Sequence, residues 1–153
     1  MEKIEIRAIE KPDEKDPDKI IRWFVAVLGL SGDEKNSIEE QILRDFTEAA
    51  REGEEGLSSS ELKFDRDVAR STVIYHLNRF INAGIIVKHG RKYHLRATEM
   101  SKVIEELEYD INREMQRMLD MAKEFDRMFY SQLEPQKDRK VIALPRTKRK
   151  RQK

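Results

Sequence analysis

The chain has no cysteine, so neither a disulfide framework nor a thiolate metal site is open to it. No apolar run approaches the ~18 residues that a bilayer-crossing helix needs. The opening MEKIEIRAIE lacks the apolar stretch of a signal peptide. Both absences lead us to expect a cytoplasmic protein. A glycine-rich phosphate loop, a nucleophile elbow and an HExxH pair are also missing, and the many carboxylates follow helical charge patterns. We therefore expect no enzyme, no cofactor and no metal site. Asparagine and glutamine are few, and between Thr98 and Leu133 there is neither proline nor glycine.

What is plentiful is charge. Charged residues make up 40% of the 153 residues and hydrophobic ones 38%, enough for a helical core under an ionic surface. That balance, with cysteine absent, points to a hot environment, where ion-pair networks gain value. The length fits one domain with an appendage. The net charge of +1 hides a strong segregation: residues 1–65 hold 10 basic and 18 acidic side chains, 66–96 hold 7 and 1, 97–145 hold 8 and 11, and 146–153 hold 6 and 0. Two basic islands interrupt an otherwise acidic chain, and such islands attract polyanions.

Residues 3–9, KIEIRAI, alternate as a short strand does, and the two prolines of EKPDEKDPD end it; 1–16 thus read as strand and linker. Asp16 as N-cap with Pro17 after it opens a helix to about Leu28. Trp23, Phe24 and Val27 leave that helix almost no polar face, which makes them candidates for a dimer interface. Ser37 and Glu40, at capping-box spacing, open the next helix, with a stripe of Ile38, Ile42, Phe46 and Ala49 or Ala50 and glycines 53 and 56 at its end. Ser58 and Glu61 repeat the box before a short helix carrying Leu62 and Phe64. From 98 to 133 apolar residues recur at heptad steps with one four-residue stutter, predicting a coiled-coil-like helix roughly 50 Å long. A second copy paired along Ile104, Leu107, Ile111, Met115, Met118 and Phe125 is the economical partner, and folding back on its own domain is the alternative. Residues 134–153 read as a linker with a small apolar VIAL and a basic tail, RTKRKRQK.

Within RSTVIYHLNRFIN the 100° wheel places Val73, Leu77 and Phe80 on one side, and Ser71, Thr72, Tyr75, Asn78 and Arg79 on the other. The second side carries the hydroxyl, amide, phenol and guanidinium groups that bond base edges and phosphates in a major groove. Arg70 adds a cation at the first turn. AGIIVKHGRKYHLR then predicts a β-hairpin turning at 89–90 or 90–91, with Ile86, Tyr93 and Leu95 inward and Lys88, Arg91 and Lys92 at the tip.

The run from Ser58 to Glu99, 42 of 153 residues, resembles the winged helix-turn-helix of prokaryotic transcription regulators, closest to the ArsR-like and PadR-like groups and their archaeal relatives. Glu61 and Leu62 match the first helix, Arg70 to Phe80 the recognition helix, and Ala83 to Ile86 the turn into a basic wing. Asp67, where relatives have Gly, and Arg66, at an apolar position, depart from the pattern. The resemblance implies a mostly α fold with a small β-hairpin: a winged helix over 17–97 followed by a dimerisation helix over 98–133. It implies double-stranded DNA as partner, contacted by Ser71, Thr72, Tyr75 and Arg79 from the helix and by Lys88, Arg91 and Lys92 from the wing. It gives His76 a local structural role. The expected function is a homodimeric, sequence-specific transcriptional regulator. The alternatives are a non-specific architectural DNA-binding protein, or a winged helix that meets another protein.

Overall fold

The computed structural model describes residues 3–30 and 35–133. The expected linker and basic tail of 134–153 lie outside the described residues. The fold is mostly helical: α1 (Pro17–Val27), α2 (Ile38–Arg51), a single 3-10 turn (Ser59–Glu61), α3 (Arg70–Asn82), β1 (Ile86–His89), β2 (Lys92–Leu95) and α4 (Met100–Leu133).

Local chemistry sets most of these boundaries. Asp16 caps α1 by accepting from the Asp18 amide, with Pro17 in the first turn. Ser37 caps α2 by accepting from the Glu40 amide at 3.2 Å. The Glu40 carboxylate reaches back not to Ser37 but to the Asn36 amide, at 3.1 Å. It is fully buried, with the Arg22 guanidinium 3.4 Å from Oε2 and Arg44 3.6 Å from Oε1. A buried carboxylate is tolerable only with such partners.

One core joins these elements. Val25 of α1, Ile42, Leu43 and Phe46 of α2, Val73, Leu77 and Phe80 of α3, Ile86, Tyr93 and Leu95 of the hairpin, and Val103 and Leu107 of α4 are all buried in it. The strands pair antiparallel, Ile86 with Leu95 and His89 with Lys92, so the turn falls on Gly90 and Arg91, the second of the two expected registers. Gly90 has a φ of +62° and Arg91 does not have positive φ, the pattern of a II′ turn, which needs glycine first. Leu57 adds a one-residue bridge to Tyr93, with both its N–H and its C=O engaged.

Three expectations are corrected. Residues 3–9 form no strand: the Lys3 amide bonds Asn82 and the Arg7 amide bonds Val27, single contacts without an edge to pair along. The short helix after Ser58 is one 3-10 turn, although Ser58 and Glu61 do form the capping box. The compact unit extends to Arg113, with Glu114 onward forming a second unit. Leu107 lies in the core, and Ile104 and Ile111 pack against it. These three, expected at a dimer interface, serve the chain's own fold. Arg96 reinforces that anchorage, 2.6 Å from the buried Asp110 and 2.9 Å from Glu106.

Replacing Glu40 by Gln removes the charge that Arg22 and Arg44 face. Thermal or urea unfolding is expected to show a loss of about 1–3 kcal/mol, whereas Glu55→Gln, at an exposed site, is expected to change stability by less than about 0.5 kcal/mol.

Candidate nucleic-acid interface

The basic segment 66–96 divides into committed and uncommitted cations. Arg66 donates to the Asn36 carbonyl and to Asp65, so it ties its loop to the turn just before α2. Arg96 is held by Glu106 and Asp110. Arg79 is bolted to the turn after α1: Nη1 donates to the Leu30 carbonyl at 2.7 Å and Nη2 to the Gly29 carbonyl at 2.8 Å. These two bonds clamp α3 to that turn. Arg70, Lys88, Arg91 and Lys92 remain exposed, with no carboxylate partner among the described residues.

Three of these four converge. Arg70 at the start of α3 and Lys88 and Arg91 at the hairpin tip line a groove of about 850 Å³, together with Ser58, Ser59 and Ser60. Phe64, Val68 and Ile74 supply apolar surface in it. Lys88 extends over the Tyr93 ring, its Nζ 5.4 Å from the centroid, a cation–π contact that steadies a long side chain without neutralising it. Strand alternation sends Lys92 to the other face of the hairpin, since it pairs with His89 while Lys88 pairs with Tyr93. There it lies close enough to Glu61 to help hold that exposed carboxyl below its ordinary range, after the larger effect of the Ser58 hydrogen bonds. The serine run carried a signal beyond its cap: three hydroxyls beside a basic segment.

Along α3 the outward ridge is Ser71, Tyr75 and Asn78, all exposed, Tyr75 at 60%. Thr72 is half-buried. Tyr75 is flanked by the Arg79 guanidinium, 5.9 Å from its ring centroid, and by the His76 ring edge at 5.2 Å. The Ala69 N-cap gives α3 no side-chain cap, and the Thr72 and Val73 amides bond its carbonyl instead. His76 is half-buried beside this ridge. Its Nδ1 is buried 3.0 Å from Glu39 Oε1, but off the line of a hydrogen bond. Burial pushes its pKa below the ordinary value, against the pull of Glu39 and with a smaller push from Arg79.

No family model, curated protein or solved structure matches the chain.

The residues expected between subunits separate into two groups. Trp23, Phe24 and Val27 are half-buried within the chain, and Trp23 Nε1 donates to the Ile9 carbonyl at 3.1 Å, so the N-terminal segment already covers part of α1. Met115, Met118 and Phe125 are exposed at 54%, 58% and 65%.

Two outcomes follow. Arg79→Ala strands two carbonyls and is expected to lower unfolding stability by about 1–3 kcal/mol, while Arg70→Ala, with nothing to lose, stays within about 0.5 kcal/mol. Because the folded-state pKa of His76 is depressed, folding favours its neutral form. Its contribution is complete above about 6.5 and is lost as pH falls from there through the lower folded value. Melting temperatures of the parent chain are thus expected to fall more between pH 7.5 and 5.5 than those of His76→Gln.

Proposed function

We propose that the chain is a double-stranded DNA-binding transcriptional regulator of the winged helix-turn-helix kind, with α3 entering the major groove and the β1–β2 hairpin lying on the backbone or in the minor groove. One observation carries the reading: Arg70, Lys88 and Arg91 line one groove without an acid to neutralise them among the described residues, while the remaining basic residues of the segment, Lys92 apart, are tied into the fold. A cation kept free beside two others repels its neighbours unless a polyanion is the intended partner, and each such contact releases counterions from DNA.

The division of labour follows from position. Arg70, Lys88 and Arg91 grip phosphates, with Ser59 free to donate a hydroxyl bond while Ser58 and Ser60 are engaged with Glu61 and with each other, and Lys92 adds charge on the outer face of the hairpin. Ser71, Tyr75 and Asn78 present the base-reading groups. Arg79 acts on the interface through Tyr75, whose ring it flanks, and Thr72 is secondary. The protein works as a homodimer paired through the exposed half of α4, so that two recognition helices meet half-sites ~34 Å apart.

A second reading, non-specific architectural binding, gains weight from one fact. With Arg79 engaged by carbonyls and Thr72 half-buried, fewer groups are left to read bases than to hold phosphates.

Selection of bound duplexes from a random pool separates the two, a recovered consensus marking the regulator and an unenriched pool the architectural protein. For a regulator, Tyr75→Ala and Asn78→Ala are each expected to erase about 1–3 kcal/mol of preference for the consensus, with binding to random duplex kept. Combined Arg70→Glu, Lys88→Glu and Arg91→Glu is expected to abolish binding to any duplex at near-physiological salt. Unchanged binding by that triple variant would refute the groove as the interface.

A further inference from the structure

From Glu114 to Ser131, α4 stands as its own unit, and its polar side is closed upon itself. Arg117 pairs with Glu114 at 3.0 Å, Arg127 pairs with Glu124, and Gln116 bonds Asp120 at 3.0 Å. The other side is apolar and open. Met115, Met118, Leu119, Met121, Phe125, Met128 and Phe129 are between 48% and 68% exposed, and Tyr130 is 62% exposed. Taking ~150–200 Å² for each large side chain, the stripe offers roughly 800 Å², one partner's share of a standard interface. A second copy of this chain, presenting the same largely apolar stripe, is the partner that matches it in area.

The width of the stripe says more. In heptad terms Met115, Ala122 and Phe129 occupy a, and Met118 and Phe125 occupy d. A seam of a and d alone is what a two-stranded coiled coil buries. Here Leu119 adds an apolar e position, and Met121 and Met128 add apolar g positions, where a two-stranded pair carries the charges that select its partner; of the flanking positions only Glu114 at g and Asp126 at e are charged. A helix apolar at a and d and at three of its five flanking positions presents a face wider than one neighbour covers, as in a bundle. The a positions also hold no β-branched residue, the feature that favours two strands. Phe125 and Phe129 stack on one another with centroids 6.0 Å apart, a bulk that suits the wider centre of a bundle.

We infer that the C-terminal halves of α4 assemble four copies of the chain into a helical bundle, a pair of the pairs described above. The consequence, which rests on the DNA-binding reading, is a particle with more DNA-binding units than one two-fold site engages, able to hold two duplex segments together.

Sedimentation equilibrium of the full chain tests the assembly. A mass of four times 18.2 kDa is expected, and a particle of one, two or three copies would overturn the inference. Met121→Glu with Met128→Glu charges only the flanks of the seam and is expected to leave a two-copy particle with unchanged helical circular dichroism. A flank variant that remained four-fold would also contradict it. Bead-tethered duplex should capture a second, labelled duplex through the parent chain and not through the flank variant, while both bind a single duplex. A four-copy particle that binds no duplex keeps the bundle and removes the DNA reading. A two-copy particle that binds duplex does the reverse.

Discussion

The rotation of α3 about its own axis is fixed by three side chains, Val73, Leu77 and Phe80, sunk into the core formed with α2 and the hairpin. Everything proposed for the surface depends on that burial. Turning the helix by one residue would expose a phenylalanine or bury Asn78, at a cost of several kcal/mol. With α3 locked, Ser71, Tyr75 and Asn78 have no direction to face but outward. Arg79 is the second lock, because its two bonds to the Gly29 and Leu30 carbonyls tie the outer flank of the helix to the turn after α1.

The hairpin is held against the same core by Ile86, Tyr93 and Leu95, and its register decides which cations share the groove with Arg70. A tight II′ turn at Gly90 brings Arg91 to the tip and leaves Lys88 on the Tyr93 face. Leu57 then stitches the serine run to the same strand through its bridge to Tyr93. Charge, hydroxyls and apolar floor come from three separate stretches of sequence, and core packing alone makes them one surface. Arg96 closes the arrangement from behind by joining β2 to Asp110 in α4.

Much of this was legible in the sequence, for physical reasons that also mark where legibility ended. Capping residues at Asp16, Ser37 and Ser58 and the 3.6-residue periodicity located the helices, since both are local properties. Glycine at 90 located the turn of the hairpin. The fate of KIEIRAI was not local: alternation shows that a segment can be a strand, but a strand needs an edge, and residues 3–9 find only isolated acceptors. Heptad spacing in α4 likewise cannot tell a partner from the chain's own core. Leu107 and Met118 look alike in sequence, yet one is 3% and the other 58% exposed. For Arg79 the helical wheel gave the right side of α3, but not the two carbonyls waiting there. The serine wall of the groove was visible only as a cap, because its nearness to Arg70 and Arg91 is tertiary.

The central claim is that a small set of cations, unpaired within the fold, is held ready for a polyanion. The measurement closest to it is duplex affinity as a function of salt. With four cations of the 66–96 segment free of a carboxylate partner among the described residues, log K is expected to fall linearly with log salt, with a slope of about −3 or steeper for each bound copy. A slope near zero, or no binding even in dilute buffer, would contradict the account.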